Sequence, residues 1–403
     1  MNSSRWTVWG CELSPFHLKI ISCLRYLQLP FTIQPNDGPW KKALQTQLKV
    51  QGVRHKLIPL TSPTVTDQDE FPLVPYLFSP SGNSFYDSTA IATWLDKNVA
   101  APHQQITQPS SPIANFILSL VDEYADEFGL YMVHHMRWKY SATDNNAGKR
   151  VAAEFRTLIG PAHHIIARDF PKRQVKRLPY LFSVAPEDRP SIQGLHRDLQ
   201  PPVHRSPQYG TSGTTHAFLE DAFDRLLSAL DIALIDPQAY IFGSQFTLAD
   251  ASIAGQLGMN LTDPSAASHI ERKAPKVYRW LTRIYAGDFD VSTNHPAFEL
   301  SRRHKPLLSE ISRVYVPLMQ QNKAAYLRFK QEGETVFNEA AFWQNRSLYR
   351  GNLDGTEFTN VAKSFQVKTW NTVIDKWHQL SDDEQQTIHT IAALKIPPKN
   401  DIA

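Results

Sequence analysis

The first thirty-five residues restrict the fold more than any other stretch of the chain. Trp6-Thr7-Val8-Trp9-Gly10 reads as a short apolar strand, and Phe31-Thr32-Ile33-Gln34-Pro35 reads as a second. Between them Phe16, Ile20, Cys23, Leu24 and Leu27 recur at spacings of three and four, which is one apolar face of a helix. Two strands joined through a helix pair in parallel, with a crossover of fixed hand. The helix is punctuated at both ends. Ser14 stands where an N-cap belongs, and Pro15 takes the first helical position, where a missing N–H costs nothing. At the far end Leu29-Pro30 stops it, because the residue before a proline avoids helical geometry. Unpaired N–H groups and the positive end of the helix dipole meet at Ser14, a place suited to an anion such as a thiolate.

The pattern continues. Residues 40–53 read as a helix with Lys41 and Lys42 on its outer side, and residues 57–70, rich in Pro, Thr and Asp, read as loop. Phe71-Pro72-Leu73-Val74-Pro75-Tyr76-Leu77-Phe78 and Ser84-Phe85-Tyr86-Asp87 read as two short strands joined by the turn Pro80-Ser81-Gly82-Asn83, a β-hairpin. Ser88 then opens a helix through Ile91, Trp94 and Leu95. The first hundred residues therefore predict β-α-β-α-β-β-α, a small α/β domain with a mixed sheet.

After a Pro- and Gln-bearing linker (residues 100–111) the pattern turns helical. Helices are expected at 112–140, 147–159, 217–234, 247–261, 276–285 and 307–327, and onward to 382–394, with an excursion loop at 187–215 and no convincing strand. The layout is a domain at 1–100, a helical domain at 101–312 with an insertion around 140–215, and a helical extension at 313–403.

Charge excludes some classes. Forty-two Lys and Arg against thirty-nine Asp and Glu leave +3, too weak a field to argue for nucleic acid or an anionic membrane. No apolar run approaches the roughly eighteen residues a membrane span needs. Met1-Asn2-Ser3-Ser4-Arg5 leads straight into the first strand, so no signal peptide is expected. The two cysteines, Cys11 and Cys23, form no disulfide framework and no zinc spacing, which fits a reducing, cytoplasmic setting. None of the fifteen histidines sits in a metal-binding pattern, so no metal is expected.

Four stretches, in order, resemble the cytosolic glutathione transferase superfamily. These are the strand followed by Ser14-Pro15-Phe16, the pair Val74-Pro75, the run Asp87-Ser88-Thr89-Ala90-Ile91, and Gly243-Ser244-Gln245-Phe246-Thr247-Leu248-Ala249-Asp250 with its capping box. The resemblance implies a thioredoxin-like domain followed by an all-α domain, glutathione as co-substrate, and a homodimer. It places the catalytic residue at Ser14 and a cis bond before Pro75, and sets the Val74 backbone against the cysteinyl part of glutathione. Asp87 and Ser88 would take the γ-glutamyl end. For the glycyl carboxylate the candidates are Arg54, His55 and Lys56, with Lys41 and Lys42 next. The usual Asn-Pro approach to the Val-Pro pair is replaced here by Asp69-Glu70-Phe71-Pro72-Leu73.

Ser14 can meet the energetic demand. Lowering a thiol by about two pKa units requires about 2.7 kcal/mol, within reach of a helix N-terminus plus one hydrogen bond to a charged group. Cys11, three residues earlier, is the alternative reactive group, whereas Cys23 lies on the apolar helix face. The second substrate, a small hydrophobic electrophile, is expected against the long helix after the linker. Residues 122–128 and 131–138 there are dense in polar and aromatic groups, with Tyr131, His134, His135, Arg137 and Trp138 as wall candidates. The leading reading is conjugation of glutathione. A glutathione-dependent reductase or lyase using Cys11, and a transferase-like binding protein without turnover, are the alternatives.

Overall fold

The computed structural model describes residues 5–70, 74–108, 110–184, 214–236, 239–289 and 296–396. β1 (Trp6–Trp9), α1 (Pro15–Tyr26), β2 (Phe31–Gln34), α2 (Trp40–Arg54), β3 (Tyr76–Phe78), β4 (Ser84–Tyr86) and α3 (Ser88–Asn98) follow the order the sequence predicts. The sheet runs β2-β1-β3-β4, with β1 parallel to β2 and the other pairs antiparallel. Val8, Leu77 and Phe85 are fully buried between this sheet and α1 and α3. The Val74–Pro75 bond is cis, and Phe71-Pro72-Leu73 lies outside the described residues.

The expected helix at 112–140 is continuous: α4 (Pro112–Tyr124), a π-helical stretch (Ala125–Gly129), α5 (Leu130–His135) and a second π-helical stretch (Met136–Tyr140). Such π turns change which side chains a helix presents to one face. The insertion forms a hairpin of α6 (Ala147–Ile159) and α7 (His163–Leu181), ending in the two-residue strand β5 (Ser183–Val184). The loop read at 187–215 falls outside the described residues up to 213, and Thr214 already begins α8 (Thr214–Ala233). Next come α9 (Leu248–Leu261), α10 (Pro264–Lys273) and α11 (Pro275–Ala286).

The capping box that opens α9 is present. The Asp250 carboxylate accepts from the Thr247 amide (2.9 Å), the Thr247 hydroxyl (2.5 Å) and the Ile241 amide (2.9 Å). α9 crosses α1 closely: a Cβ on Gly255 would come within 2.7 Å of the Pro15 carbonyl oxygen, so only glycine allows the approach.

The extension is not purely helical. α12 (Lys305–Glu310), a π-helical stretch (Ile311–Tyr315) and α13 (Val316–Gln331) form one helix that runs through residue 313. α14 (Glu339–Trp343) is followed by β6 (Leu348–Leu353) and β7 (Thr356–Val361), then α15 (Ser364–Gln379) and α16 (Asp382–Ile391). The expectation of no strand beyond the linker is therefore corrected: β6 and β7 make a hairpin, and β5 adds to it in the order β5-β7-β6. Asp354 and Gly355, both at positive φ (51° and 83°), form the two-residue turn. The extension's aromatics complete the core. Tyr315 meets Tyr124 and Trp370 edge-on at 6.2 and 5.8 Å, and Trp377 packs on Phe116 at 5.1 Å. Among the described residues no helix is long and apolar enough to cross a membrane.

Candidate functional site

A cavity of about 220 Å³ opens where the α/β domain meets the long helix. The first domain contributes Phe16 from the first turn of α1, Val74 and Pro75 ahead of β3, and Asp87, Ser88 and Thr89 at the start of α3. Glu123, Asp126, Glu127, Leu130 and Tyr131 line it from the long helix. The insertion adds Arg177, Tyr180 and Leu181, and the extension closes it with Lys363, Phe365, Gln366 and Thr369. Of the residues singled out in the sequence, Val74, Pro75, Asp87, Ser88 and Tyr131 thus line one cavity.

Asp87 caps α3, its Oδ1 accepting from the Ala90 amide at 3.0 Å. It does so at φ 68°, a conformation that costs a non-glycine residue about 1–3 kcal/mol. Behind it lies a buried ionic knot. Lys19 Nζ donates to Asp122 (2.5 Å), Asp126 (2.7 Å) and Thr89 (2.8 Å), and the Ser252 hydroxyl also donates to Asp122. Burial alone would lower the Lys19 pKa, but the Asp122 and Asp126 charges outweigh it and the net shift is upward. The knot joins α1, α3, the long helix and α9.

Other expected residues lie elsewhere. Ser14 is the N-cap of α1, its Oγ 3.4 Å from the His17 amide, and it is not part of the cavity lining. Cys11 is 9% exposed. Burial, with the nearby Glu154 charge, pushes its thiol up to about 12, the reverse of an activated cysteine. α6 of the insertion lies over this turn: Glu154 accepts from the Glu12 amide at 3.0 Å, and Phe155 meets Trp9 edge-on at 6.0 Å.

Arg54 ends α2 and Lys56 is exposed beside Ile58 and Pro59, both away from the cavity. His134 Nδ1 bonds the Leu130 carbonyl at 3.0 Å. His135 stacks on His216 at 5.8 Å, and Trp138 packs edge-on to Phe170 at 5.9 Å. Arg137 is buried in an ion pair with Asp263 (2.7 Å) and reaches the Leu13 carbonyl at 3.2 Å. Its job is to tie the strand–helix turn to the second domain, so the wall assignments for His134, His135, Arg137 and Trp138 give way to packing roles.

In their place the structure supplies residues the sequence reading passes over. Lys363 Nζ donates to Tyr131 Oη (2.8 Å) and the Leu181 carbonyl (2.9 Å), and lies over the Tyr131 and Tyr180 rings at 4.6 and 4.9 Å. Gln366 donates to Glu127 (2.8 Å) and to Tyr131 Oη (2.7 Å). Burial lowers the Lys363 pKa, and burial raises those of Glu70, Asp87, Glu123 and Glu127. The density of acids at 122–127 was the available signal for Glu123 and Glu127. For Lys363 there was none.

The family model for the glutathione S-transferase C-terminal domain matches residues 215–288, which span α8 to α11. That match falls on the helices docked against the thioredoxin-like domain. Over these residues the chain is similar to the glutathione S-transferases. No curated protein matches the chain. As a transferase-type fold it carries two additions, the α6–α7 hairpin and the segment after α11, and both reach the cavity. Glutathione brings two carboxylates and one ammonium. Among the described residues the cavity's cations are Arg177 and Lys363. No group of His, Cys, Asp and Glu among the described residues is arranged to hold a metal.

Proposed function

We propose that the protein is a glutathione transferase that joins the glutathione sulfur to a small hydrophobic electrophile. The supporting observation is the convergence of Val74, Asp87 and Ser88 with Tyr131 on one cavity at the domain junction. In this reading the Val74 backbone pairs with the cysteinyl unit, and Ser88 and the α3 N-terminus take the γ-glutamyl carboxylate. Arg177 or Lys363, rather than Arg54 or Lys56, faces the glycyl carboxylate. The thiolate sulfur forms the new bond to carbon, and the leaving group departs with its electron pair. Ser14, whose Oγ accepts the long capping bond from the His17 amide, donates its O–H to the thiolate. A homodimer belongs to the same reading, and size-exclusion chromatography with light scattering tests it.

Retention on immobilised glutathione and turnover of an electrophile panel test the function. Wild type is expected to be retained and to turn over at least one electrophile, and Asp87→Ala to lose retention. Ser14→Ala is expected to lower kcat/KM by about 10- to 150-fold, the worth of a hydrogen bond to a charged group. Wild type that is retained without turnover of any electrophile would favour the binding-protein reading, which the cover of α6 over the Ser14 turn supports. Cys11→Ala is expected to leave turnover intact, and its loss would restore the reductase reading.

A further inference from the structure

The cavity is acidic beyond what its own cations answer. Lys363 is engaged by Tyr131 and the Leu181 carbonyl, and Arg177 is paired with Glu339 at 2.8 Å. Asp126 is answered by Lys19, and Glu127 by the Gln366 amide. Glu123 feels the charges of Lys19 and Lys376 only through space. It lines the cavity, is 5% exposed, and has neither a hydrogen bond nor an ion pair among the described residues. A carboxyl group buried in this way costs free energy unless it stays protonated or finds a cation.

We propose that Glu123, with Glu127 one turn on, receives the ammonium group of a second substrate whose apolar body lies against Phe16, Tyr131 and Phe365. The proposal rests on the transferase reading only for the ligand's role as second substrate. Carboxyls suited to an ammonium beside aromatic rings are the usual surroundings of an organic amine, because ring faces also attract cations. The groups facing Glu123 explain why the site is poised for this. Asp122, Asp126 and Glu127 on its own helix repel its charge. Lys19 of α1 is spent on Asp122 and Asp126, and Lys376 of α15 makes no ion pair with Glu123. Tyr315 of the neighbouring π turn stays neutral, its pKa raised by burial and by these acids. Burial, with the neighbouring acids, raises the Glu123 pKa, so an arriving ammonium favours loss of its proton.

Isothermal titration calorimetry on the full chain, at pH 7 in two buffers of different ionisation enthalpy, tests this with two probes of similar shape. These are 2-phenylethylammonium and 3-phenylpropionate, each with and without saturating glutathione. The ammonium is expected to bind at least tenfold tighter than the carboxylate, to release protons on binding, and to bind in the presence of glutathione. Glu123→Gln, an isosteric change, is expected to cut ammonium affinity at least tenfold and abolish proton release. Glu127→Gln carries the same test if the first variant does not fold. Equal or tighter binding of the carboxylate, unchanged affinity in the folded variant, or displacement of the ammonium by glutathione would each overturn the proposal. Retention on immobilised glutathione reads the transferase proposal separately, so the two can fail independently.

Discussion

Histidine 216 shows how a single buried side chain sets a pH response. It is 2% exposed, stacked on His135, with Glu220 3.6 Å away and Lys139 nearby. Burial, with Lys139, lowers its pKa from 6.5 to about 4. The folded-state value is depressed, so the stability it contributes is present above about pH 6.5 and is lost as pH falls through about 4. In that window the unfolded chain binds one more proton, worth up to about 1.4 kcal/mol per pH unit. A His216→Phe variant has no such proton to take up. Its melting temperature relative to wild type is expected to rise steadily as the pH is lowered from 7 to 4.5, and scanning calorimetry at several pH values checks it. Arg137 makes a related point about reading sequences. On a helix wheel it is a charged wall residue, and only the fold brings Asp263, 126 positions on, to bury it.

At the scale of elements, the Lys19 knot holds α1 against the long helix and α9. Removing one partner of a buried ion group leaves uncompensated charge and costs about 3–5 kcal/mol. Lys19→Met is expected to lose that much in urea denaturation, and adding Asp122→Asn to recover part of it. Much at this scale was legible in the sequence. Ser14-Pro15 marks the start of α1, the Thr247/Asp250 box marks α9, and the unbroken apolar periodicity of 112–140 marks the long helix. The β6–β7 hairpin was legible too, since Asp354-Gly355 is a strong two-residue turn signal between alternating residues such as Tyr349 and Phe358. Reading the second half as helical passes over it. The cavity's far wall was not legible, because nothing local in Lys363 or Gln366 says which helix they will meet.

For the whole molecule, the segment after α11 fills the core as well as lengthening the chain. Trp370 is 1% exposed and packs on Tyr315 over the long helix. Trp370→Ala is expected to cost about 3–5 kcal/mol, the range for emptying a large aromatic site. Denaturant titration followed by circular dichroism measures it, with a lowered midpoint and an unchanged slope expected. The cavity also draws its boundary from residues far apart in sequence, from Phe16 to Thr369. A ribosome that has finished the thioredoxin-like domain has therefore made only one side of the chamber. Nascent chains that stop before Lys363 emerge with the Val74 and Asp87 side and the long-helix face in place but without Lys363, Phe365, Gln366 and Thr369, so the chamber stays open until that segment is made.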